Sequence, residues 1–485
     1  TSRVTGIVTD SSGAPVTGAT VSLKHEGTGS TLKTQTSDSG VYVFDLIQAG
    51  SYEVSVEKAG FKKFVSSGNS ALINQPTTLN VALEVGDVSA VVNVVGAAEQ
   101  VQTSTSGNLG STVDQRTLES LPIVGTRGRN PLELLNFQPG VVFGGNTGGA
   151  VNVNGSRDRA FNFTLDGIDI NESTAGGSNF TPLRPNPDSI QEFQIVTSNF
   201  TAELGRSSGA QVTLVTRSGT NEFHGNLFEY YQTPRFNAKS YGETLLKQPK
   251  GQFVQHIFGG SIGGPLSNFG LGEGESFKLL RDRAFFFANL QLLRAYDTAL
   301  VTRTVYTPSA RTGLFRYVVG RANAPFGTAN AAVDASGNPV LPNCPAVPAC
   351  LSSGYNIATL SPTTFDPVLL NYINSMPLPN NFGAGDGLNT AGFNFASPQR
   401  ERQYDFSTKF DFKFNDKHSS YVRYAQGSQT SLGDSANGGR PRFPNSPNFV
   451  DTGRTPKNLA VNWRWSPSSN LVNEFVYGLS KFRFS

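Results

Sequence analysis

The sequence predicts a mainly β chain in three parts: a small N-terminal β-sandwich, a compact α+β module, and a run of long antiparallel strands. Three observations lead there. Charged residues make up only 15% of the chain, while Gly reaches 52 and Phe 35 against one Met and two Trp. That composition suits strands and turns better than packed helices. Apolar and polar residues alternate with period two in many stretches, as in Ser51-Tyr52-Glu53-Val54-Ser55-Val56-Glu57, the pattern of a half-buried strand. Turn residues recur between those stretches. A length of 485 residues leaves room for about three domains.

The same arithmetic excludes some functions. Lys plus Arg number 39 and Asp plus Glu 36, a net charge of +3, too balanced for a nucleic-acid binder that relies on a basic field. No run of ~18 apolar residues is present, so no transmembrane helix is encoded. The chain opens Thr1-Ser2-Arg3-Val4 without a basic n-region or an apolar h-region, and any secretion signal is expected to have been removed or not supplied.

Residues 1–84 carry the sandwich. Tyr52, Val54 and Val56 share one face of their strand, and Gly13-Ala14-Pro15 and Ser39-Gly40 supply turns. Gly6-Ile7-Val8-Thr9-Asp10, Gly13 through Val21, Gly40-Val41-Tyr42-Val43-Phe44 and Gly50-Ser51-Tyr52-Glu53-Val54 together resemble the carboxypeptidase regulatory-like domain. The resemblance implies a non-catalytic, transthyretin-like sandwich of a fold class that also hosts carbohydrate binders.

Residues 85–220 change texture. Leu118, Leu121, Leu132, Leu134 and Leu135 punctuate short amphipathic segments broken at Pro122, Pro131 and Pro139. Three strand-like stretches with Gly-rich junctions follow, which fits a compact α+β module. The ordered series Leu121-Pro122, Pro139-Gly140-Val141, Asn154-Gly155-Ser156-Arg157, Asp166-Gly167-Ile168-Asp169, Pro187 through Phe193 with Glu192, Ala202-Glu203-Leu204-Gly205 and Thr216-Arg217-Ser218-Gly219-Thr220-Asn221 resembles the plug domain of TonB-dependent outer-membrane transporters of the Oar-like branch. The resemblance implies a plug seated in a barrel and moved by a pull from the periplasm. It also implies a short extended TonB box ahead of the plug, for which Asp87, Val88, Val91, Val92, Val94 and Val95 in the run from Asp87 to Val95 are the nearest candidates. Such a segment adds as an edge strand to a partner sheet; the competing reading is an ordinary first strand of the plug. Arg157, Arg159, Arg206 and Arg217 either pair with inward carboxylates of the barrel wall or form solvated surface.

Residues 221–485 read as membrane-crossing strands. Tyr404, Phe406, Thr408, Phe410, Phe412 and Phe414 fall on one face and Asp405, Ser407, Lys409, Asp411 and Lys413 on the other. A lipid-facing aromatic stripe opposite a charged lumen face is how a transmembrane β-strand reads, and ~9–11 residues suffice to cross. The pattern recurs at 222–232, 252–264, 283–296, 419–426, 458–465 and 471–485. Asn415 to His418 and Ser466 to Asn470 read as tight turns, while 234–251, 297–403 and 427–457 read as long polar loops, the two-rimmed signature of an outer-membrane barrel. Only 265–282 is longer than a short turn should be. Asn221-Glu222-Phe223-His224-Gly225, Phe258 through Pro265 and Arg283-Ala284-Phe285-Phe286-Phe287 resemble the opening strands of an Oar-like barrel. Large plugged transporters close with ~22 strands, so an incomplete barrel, and a chain that is the front part of a longer protein, is expected.

Catalytic and metal patterns are weak. Gly205-Arg206-Ser207-Ser208-Gly209 and Gly259-Gly260-Ser261-Ile262-Gly263 satisfy G-x-S-x-G, but neither lies at the strand–turn–helix elbow that exposes a nucleophile. Asp166, Asp169, Asn171 and Glu172 lack calcium-loop spacing and read as a turn with hydrogen-bonded carboxylates. His25, His224, His256 and His418 are scattered without zinc-peptidase spacing. The glycine run 144–149 lacks the Lys of a phosphate loop. No catalytic, cofactor or metal residue is therefore assigned, and no enzyme activity is expected. Cys344 and Cys350 lie close together with no His nearby, and a loop-closing disulfide is the expected pairing.

The leading expectation is a receptor in the bacterial outer membrane that captures a substrate and imports it by energy-coupled plug movement. The sandwich would be periplasmic and the long loops extracellular. Its partners would be a TonB-type energy-transducing protein, outer-membrane lipid and an extracellular oligosaccharide, peptide or polymer. The alternative is an adhesion or carbohydrate-binding surface protein without transport. A secreted hydrolase using Ser207 or Ser261 is a third, remoter reading.

Overall fold

The computed structural model describes residues 2–73, 76–87, 91–95, 109–114, 117–118, 124–125, 128–143, 151–157, 160–171, 181, 183–200, 204–205, 207–239, 241, 244, 250, 252–266, 282–316, 355–356, 365–468 and 471–485. Cys344, Cys350, Val88, Arg159, Glu172, Glu203, Arg206 and the run 144–149 lie outside them.

The first part is a sandwich of two sheets. Strands β1 (Ser2–Asp10), β2 (Thr20–His25), β3 (Thr31–Gln35), β4 (Val41–Ile47), β5 (Gly50–Glu57), β6 (Lys63–Ala71), β7 (Pro76–Thr78) and β8 (Val81–Leu83) build it. One sheet runs β4-β1-β7, with β8 also on β1; the other begins β3-β2-β5-β6. Alternation puts Tyr52, Val54 and Val56 inside, packed with Val4, Val8, Leu23, Tyr42, Phe44 and Leu83. The Tyr42 hydroxyl donates to the Leu79 carbonyl at 2.7 Å, so the one polar atom of that ring has a partner in the core.

The next strand, β9 (Val91–Val95), pairs in parallel with β6 and becomes the edge of the second sandwich sheet. The reading of this segment as the first plug strand is thereby corrected. Its valines give it strand propensity, but nothing local says which sheet it joins.

The plug sheet starts with β10 (Leu109–Asp114). The short pairs β11 (Val124–Gly125) with β12 (Gly128–Arg129), and β13 (Val141–Phe143) with β14 (Val151–Val153), follow. Then come β15 (Phe161–Leu165), β16 (Ile168–Asp169), β17 (Ile190–Ser198) and β18 (Ala210–Thr216). The sheet order is β10-β17-β18-β15-β16, with β15 and β18 parallel. Helical turns at Pro131–Phe137 and Pro187–Ser189 sit where prolines open them. Leu118, Leu134, Leu135, Phe163, Phe193, Ile195, Val212 and Leu214 form the plug core.

The third part is an antiparallel meander. Its strands are β19 (His224–Gln232), β20 (Gln252–Pro265) and β21 (Ala284–Tyr306), then, after the small pair β22 (Leu314–Phe315) and β23 (Tyr355–Asn356), β24 (Thr390–Lys413), β25 (His418–Leu432), β26 (Thr452–Ser468) and β27 (Leu471–Phe484). The seven-stranded sheet runs β19-β20-β21-β24-β25-β26-β27 and is not closed. All seven expected strands are present, but several are longer than alternation indicated. The expected loop 297–403 shrinks because β21 and β24 stay paired from Ala284↔Phe412 out to Tyr306↔Thr390. The expected loop 427–457 shrinks to 433–451. In these extensions Thr, Ser, Asn and Arg mix with Leu300, Val301, Phe393 and Phe395 on both faces, so period-two contrast fades while β-branched residues still favour the strand. The tight turn at 415–417 is as expected; β26 runs on to Ser468, shortening the turn expected at 466–470.

Facing follows the sequence. Phe406 and Phe414 of β24 are exposed, whereas Asp405, Lys409 and Asp411 are buried, because the plug lies against that inner face.

Candidate functional site

The plug and the wall meet through charges. Residues 165–168 form a two-residue hairpin between β15 and β16, with Asp166 at φ 50° and Gly167 at φ 79°. Asp-Gly is the pair that tolerates positive φ at both central positions. The turn presents Asp166 to the wall. Its carboxylate accepts from the Thr216 N–H at 2.9 Å and the Thr216 hydroxyl at 2.7 Å. From β25, Arg423 Nε donates to it at 2.9 Å. A second guanidinium nitrogen donates to the Leu165 carbonyl at 3.0 Å and the Tyr421 hydroxyl to the Asp166 carbonyl at 3.3 Å. Lys409 of β24 donates to the Thr216 carbonyl at 3.3 Å and stands 4.7 Å from the centre of the Tyr421 ring. The Arg423 and Asp166 side chains are 0% and 3% exposed. Burial alone would raise the Asp166 pKa, but Lys409, Arg423 and the Thr216 hydrogen bonds outweigh it and hold it below the usual carboxylate range.

A second contact grips the Pro187 run. Buried Arg129 pairs with Asp188, and its guanidinium stacks over Phe228 and Tyr230 of β19 at 5.1 and 4.6 Å. Asn226 of the wall donates to the other Asp188 oxygen at 3.1 Å, and Asn186 reaches Asn289 of β21 at 3.3 Å. Arg217 lies over the Phe287 ring at 5.3 Å. At Gly219 a Cβ would overlap the carbonyl oxygens of Phe286 and Gly264, so only glycine lets the chain pass this close to β20 and β21.

Of the four plug arginines weighed above, Arg159 and Arg206 lie outside the described residues. Arg217 meets an aromatic face and Arg157 is exposed, as the solvated-surface reading has it, while a buried pair not foreseen runs from plug Asp166 to wall Arg423. The remaining motif residues do not converge. Asn154 and Gly155 make a positive-φ turn, with Asn154 donating to the Thr197 carbonyl at 2.9 Å. Asp169 accepts from the Asn171 backbone at 2.7 Å, and Gly205 has φ 85°. Arg129, Asp188 and Arg423 were not singled out from sequence. Arg423 does sit in phase with Tyr421 on the face opposite Val422 and Tyr424, which was the available signal.

Glu192 faces the sandwich instead. Its carboxylate accepts from the Ile73 N–H at 2.7 Å, and Gln194 returns a bond to the Ile73 carbonyl at 2.9 Å. Burial pushes the Glu192 pKa up to about 7, against the opposing Ile73 hydrogen bond. Gln191 donates to the Ala49 carbonyl at 3.0 Å, Asn221 to the Thr28 carbonyl at 2.9 Å and Arg464 of β26 to the Asp45 carbonyl at 2.9 Å. A cavity of about 490 Å³ lies where sandwich, plug and wall meet, lined by His25, Gln48, Asp166, Arg217, Lys409 and Asp411. At another place, a cleft of about 590 Å³ is lined by Tyr372, Phe393, Arg442, Phe443 and Phe449, with the Arg442 guanidinium over Tyr372 and Phe443 at 5.6 and 5.7 Å.

Of the G-x-S-x-G serines, Ser261 lies inside β20 with its hydroxyl on Asn226 at 2.7 Å, and Ser207 precedes β18. Neither stands on a strand–turn–helix elbow.

Comparison with known proteins adds an independent line. Residues 215–485 match the outer membrane beta barrel domain, residues 88–212 the TonB-dependent receptor plug domain, and residues 3–84 the carboxypeptidase regulatory-like domain. The chain is 29% identical over 260 residues to the TonB-dependent transporter Oar of Myxococcus xanthus, covering 51% of this chain and 22% of that protein. Among solved structures it is similar to the ferric enterobactin receptor of Pseudomonas aeruginosa (12% identity, TM-score 0.41, 77% of this chain and 41% of that one). It is also similar to the siderophore receptor PirA of Acinetobacter baumannii (13% identity, TM-score 0.40, 77% and 40%). The chain thus spans about a fifth of the curated relative and two fifths of the solved receptors.

Proposed function

The chain belongs to the outer membrane beta barrel domain family, with TonB-dependent receptor plug and carboxypeptidase regulatory-like domains ahead of the wall, and on that premise we propose that it captures a substrate at the cell surface and imports it when a TonB-type partner pulls the plug. The domain division proposed is sandwich 1–84, plug 85–220 and wall 221–485, with Val91–Val95 lodged on the sandwich.

One observation supports this reading: the plug has its own core and touches the wall largely through polar and charged groups. Among the described residues, Ala425 is the one wall residue in the plug's apolar cluster; beside it and the approach of Ile168 to Gly478, the contact includes Asp166 with Arg423, Asp188 with Asn226, Asn186 with Asn289, and the guanidinium groups of Arg129 and Arg217 on wall rings. An apolar contact would expose bare hydrocarbon on separation, whereas water can replace polar partners one by one. A plug held this way can shift without unfolding.

Orientation follows from the connections. The tight turn at 415–417 borders the sandwich-side cavity, and Arg464 near the turn after β26 holds Asp45. The strand ends that the long connections join, Tyr306 with Thr390 and Leu432 with Thr452, lie at the opposite rim. The sandwich is assigned to the periplasm and the long loops to the exterior, with the exposed aromatic face in lipid. The cleft around Arg442 presents ring faces and a cation, which suit sugar faces or peptide side chains.

The test is uptake of labelled oligosaccharide and peptide panels by cells carrying the protein, with and without a proton-gradient uncoupler. Import of one class that stops with the uncoupler is the expected result. Label held at the surface regardless of the gradient would refute transport and leave adhesion.

A further inference from the structure

Val91–Val95, the end of the run from Asp87 to Val95, is already in use as a strand. Its last residues pair in parallel with β6, in the register Lys63↔Val91, Phe64↔Val92, Val65↔Asn93, Ser66↔Val94 and Ser67↔Val95. None of the three side chains described on that ladder is buried: Val91 is 50% exposed, Asn93 is exposed and Val92 half-buried. The ladder itself is of the slightly less stable parallel form. It is also the last strand of its sheet, and edge strands are templates for other chains.

The position along the chain matters as much as the pairing. Residues 96–108 connect β9 to β10, the edge strand of the plug sheet, which pairs antiparallel with β17 from Leu109↔Ser198 to Asp114↔Glu192. A pull on β9 reaches that edge first and can open it pair by pair from Leu109.

We propose that the β6 edge of the sandwich is an internal holding site for Val91–Val95, and that this segment is the strand a TonB-type partner captures, so that the partner must take it from β6 before it can move the plug. The proposal rests on the coupling reading above. Addition of a partner strand to the free edge of β9, without release, would leave the pull acting on the whole sandwich. That body is tied to plug and wall through Ile73 with Glu192, Ala49 with Gln191, Thr28 with Asn221 and Asp45 with Arg464. Five residues of ladder with no buried side chain among the three described are the weaker link. Holding also lowers the apparent affinity for the partner by the fraction of chains in which the strand is free.

The experiment uses the full chain in detergent, with Cys344 and Cys350 replaced by serine, carrying the pair Val65→Cys and Asn93→Cys. These positions are in register on the exposed face of the sheet, and paired strands bring Cα atoms within disulfide range. The probe is the purified periplasmic domain of the host's TonB-type protein. The reduced variant should bind as the parent does, and the oxidised form roughly tenfold or more weakly; Val92→Pro, which disables the strand for any partner, should also bind weakly. Equal binding by oxidised and reduced forms, with Val92→Pro impaired, refutes the holding site and leaves the coupling reading standing. Unimpaired binding by Val92→Pro refutes the assignment of this segment as the captured strand. A parent chain that does not bind the probe overturns the coupling reading itself, and this inference with it.

Discussion

Replacing Asp166 by Asn isolates the buried pair that joins plug to wall. Asparagine keeps the shape, tolerates the positive φ of 50°, and retains an acceptor for the Thr216 N–H. It removes the charge that faces Arg423 at 2.9 Å and leaves a fully buried guanidinium without its counter-ion. Breaking one side of such a pair costs about 3–5 kcal/mol. The lower end applies here, because the Leu165 carbonyl still accepts from Arg423. About 3 kcal/mol corresponds to a roughly hundredfold rise in the opening equilibrium. Amide exchange of the full chain in detergent reads this directly, and the expected result is loss of protection across β15 and β18 by about that factor. Adding Arg423→Gln should restore most of it, since the uncompensated charge is then gone. Protection within twofold of the parent, or no recovery in the double variant, would refute the reasoning. The pH dependence has a defined sign. Asp166 has a lowered pKa in the folded state, so its contribution is complete above the unfolded carboxylate value and is lost as pH falls through the folded one. The parent should loosen in strong acid by an amount that Asp166→Asn does not show.

Three further outcomes are expected. Glu192 has the opposite sign: its pKa rises from 4.5 to about 7 on folding, so the sandwich–plug contact is firmest below the unfolded value and weakens as pH rises to about 7; Glu192→Gln should flatten the melting temperature between those limits, and an unchanged slope would exclude this carboxylate as its source. Gly219→Val drives a side chain into the Phe286 and Gly264 carbonyls and should destabilise the chain by about 1–3 kcal/mol, measured by thermal unfolding, with no loss counting against the close approach. Arg129→Lys keeps the charge near Asp188 but loses the flat group stacked on Phe228 and Tyr230, and should cost about 1 kcal/mol against about 3–5 kcal/mol for Arg129→Ala; equal losses would assign the contact to the flat guanidinium and not to charge.

The wall was the most legible part of the chain. Where one face meets lipid and the other meets the plug, as from Tyr404 to Phe414, chemistry alternates residue by residue and the strand declares itself. Beyond that belt, around Thr302 and Asn394, apolar and polar residues mix on both faces, with Leu300 beside Thr302 on one and Val301 beside Arg303 on the other, and the same strand reads as loop. The plug motif at Asp166-Gly167 was legible as a turn, because few residue pairs accept that backbone. Its partner Arg423 was not, since alternation assigns a face to a side chain but not its neighbour across 257 residues of chain. The seat of Val91–Val95 was hidden for a related reason. A parallel pairing needs no hairpin, so no turn residue marks which strand it joins.

On the proposed coupling, these contacts also set an order of release. The pull enters at Val91–Val95, where a short parallel ladder at a sheet edge gives way first. It passes next to β10, whose Ser111, Thr112 and Val113 are half-buried and which leaves the sheet from one end. Only then does load reach β17, β18 and the hairpin that bears Asp166, where Phe163, Phe193 and Leu214 are fully packed and Arg423 anchors the turn. Resistance therefore increases inward. Work done by a partner is spent first on elements that can re-pair when the pull stops, while the core that defines the plug stays folded. If the Asp166–Arg423 contact were the weakest point instead, the whole plug would leave the wall before β10 opened. The exchange experiment separates the two: in the parent, β10 amides should open more readily than those of β15, and in Asp166→Asn that gap should narrow as β15 loses its hold on the wall.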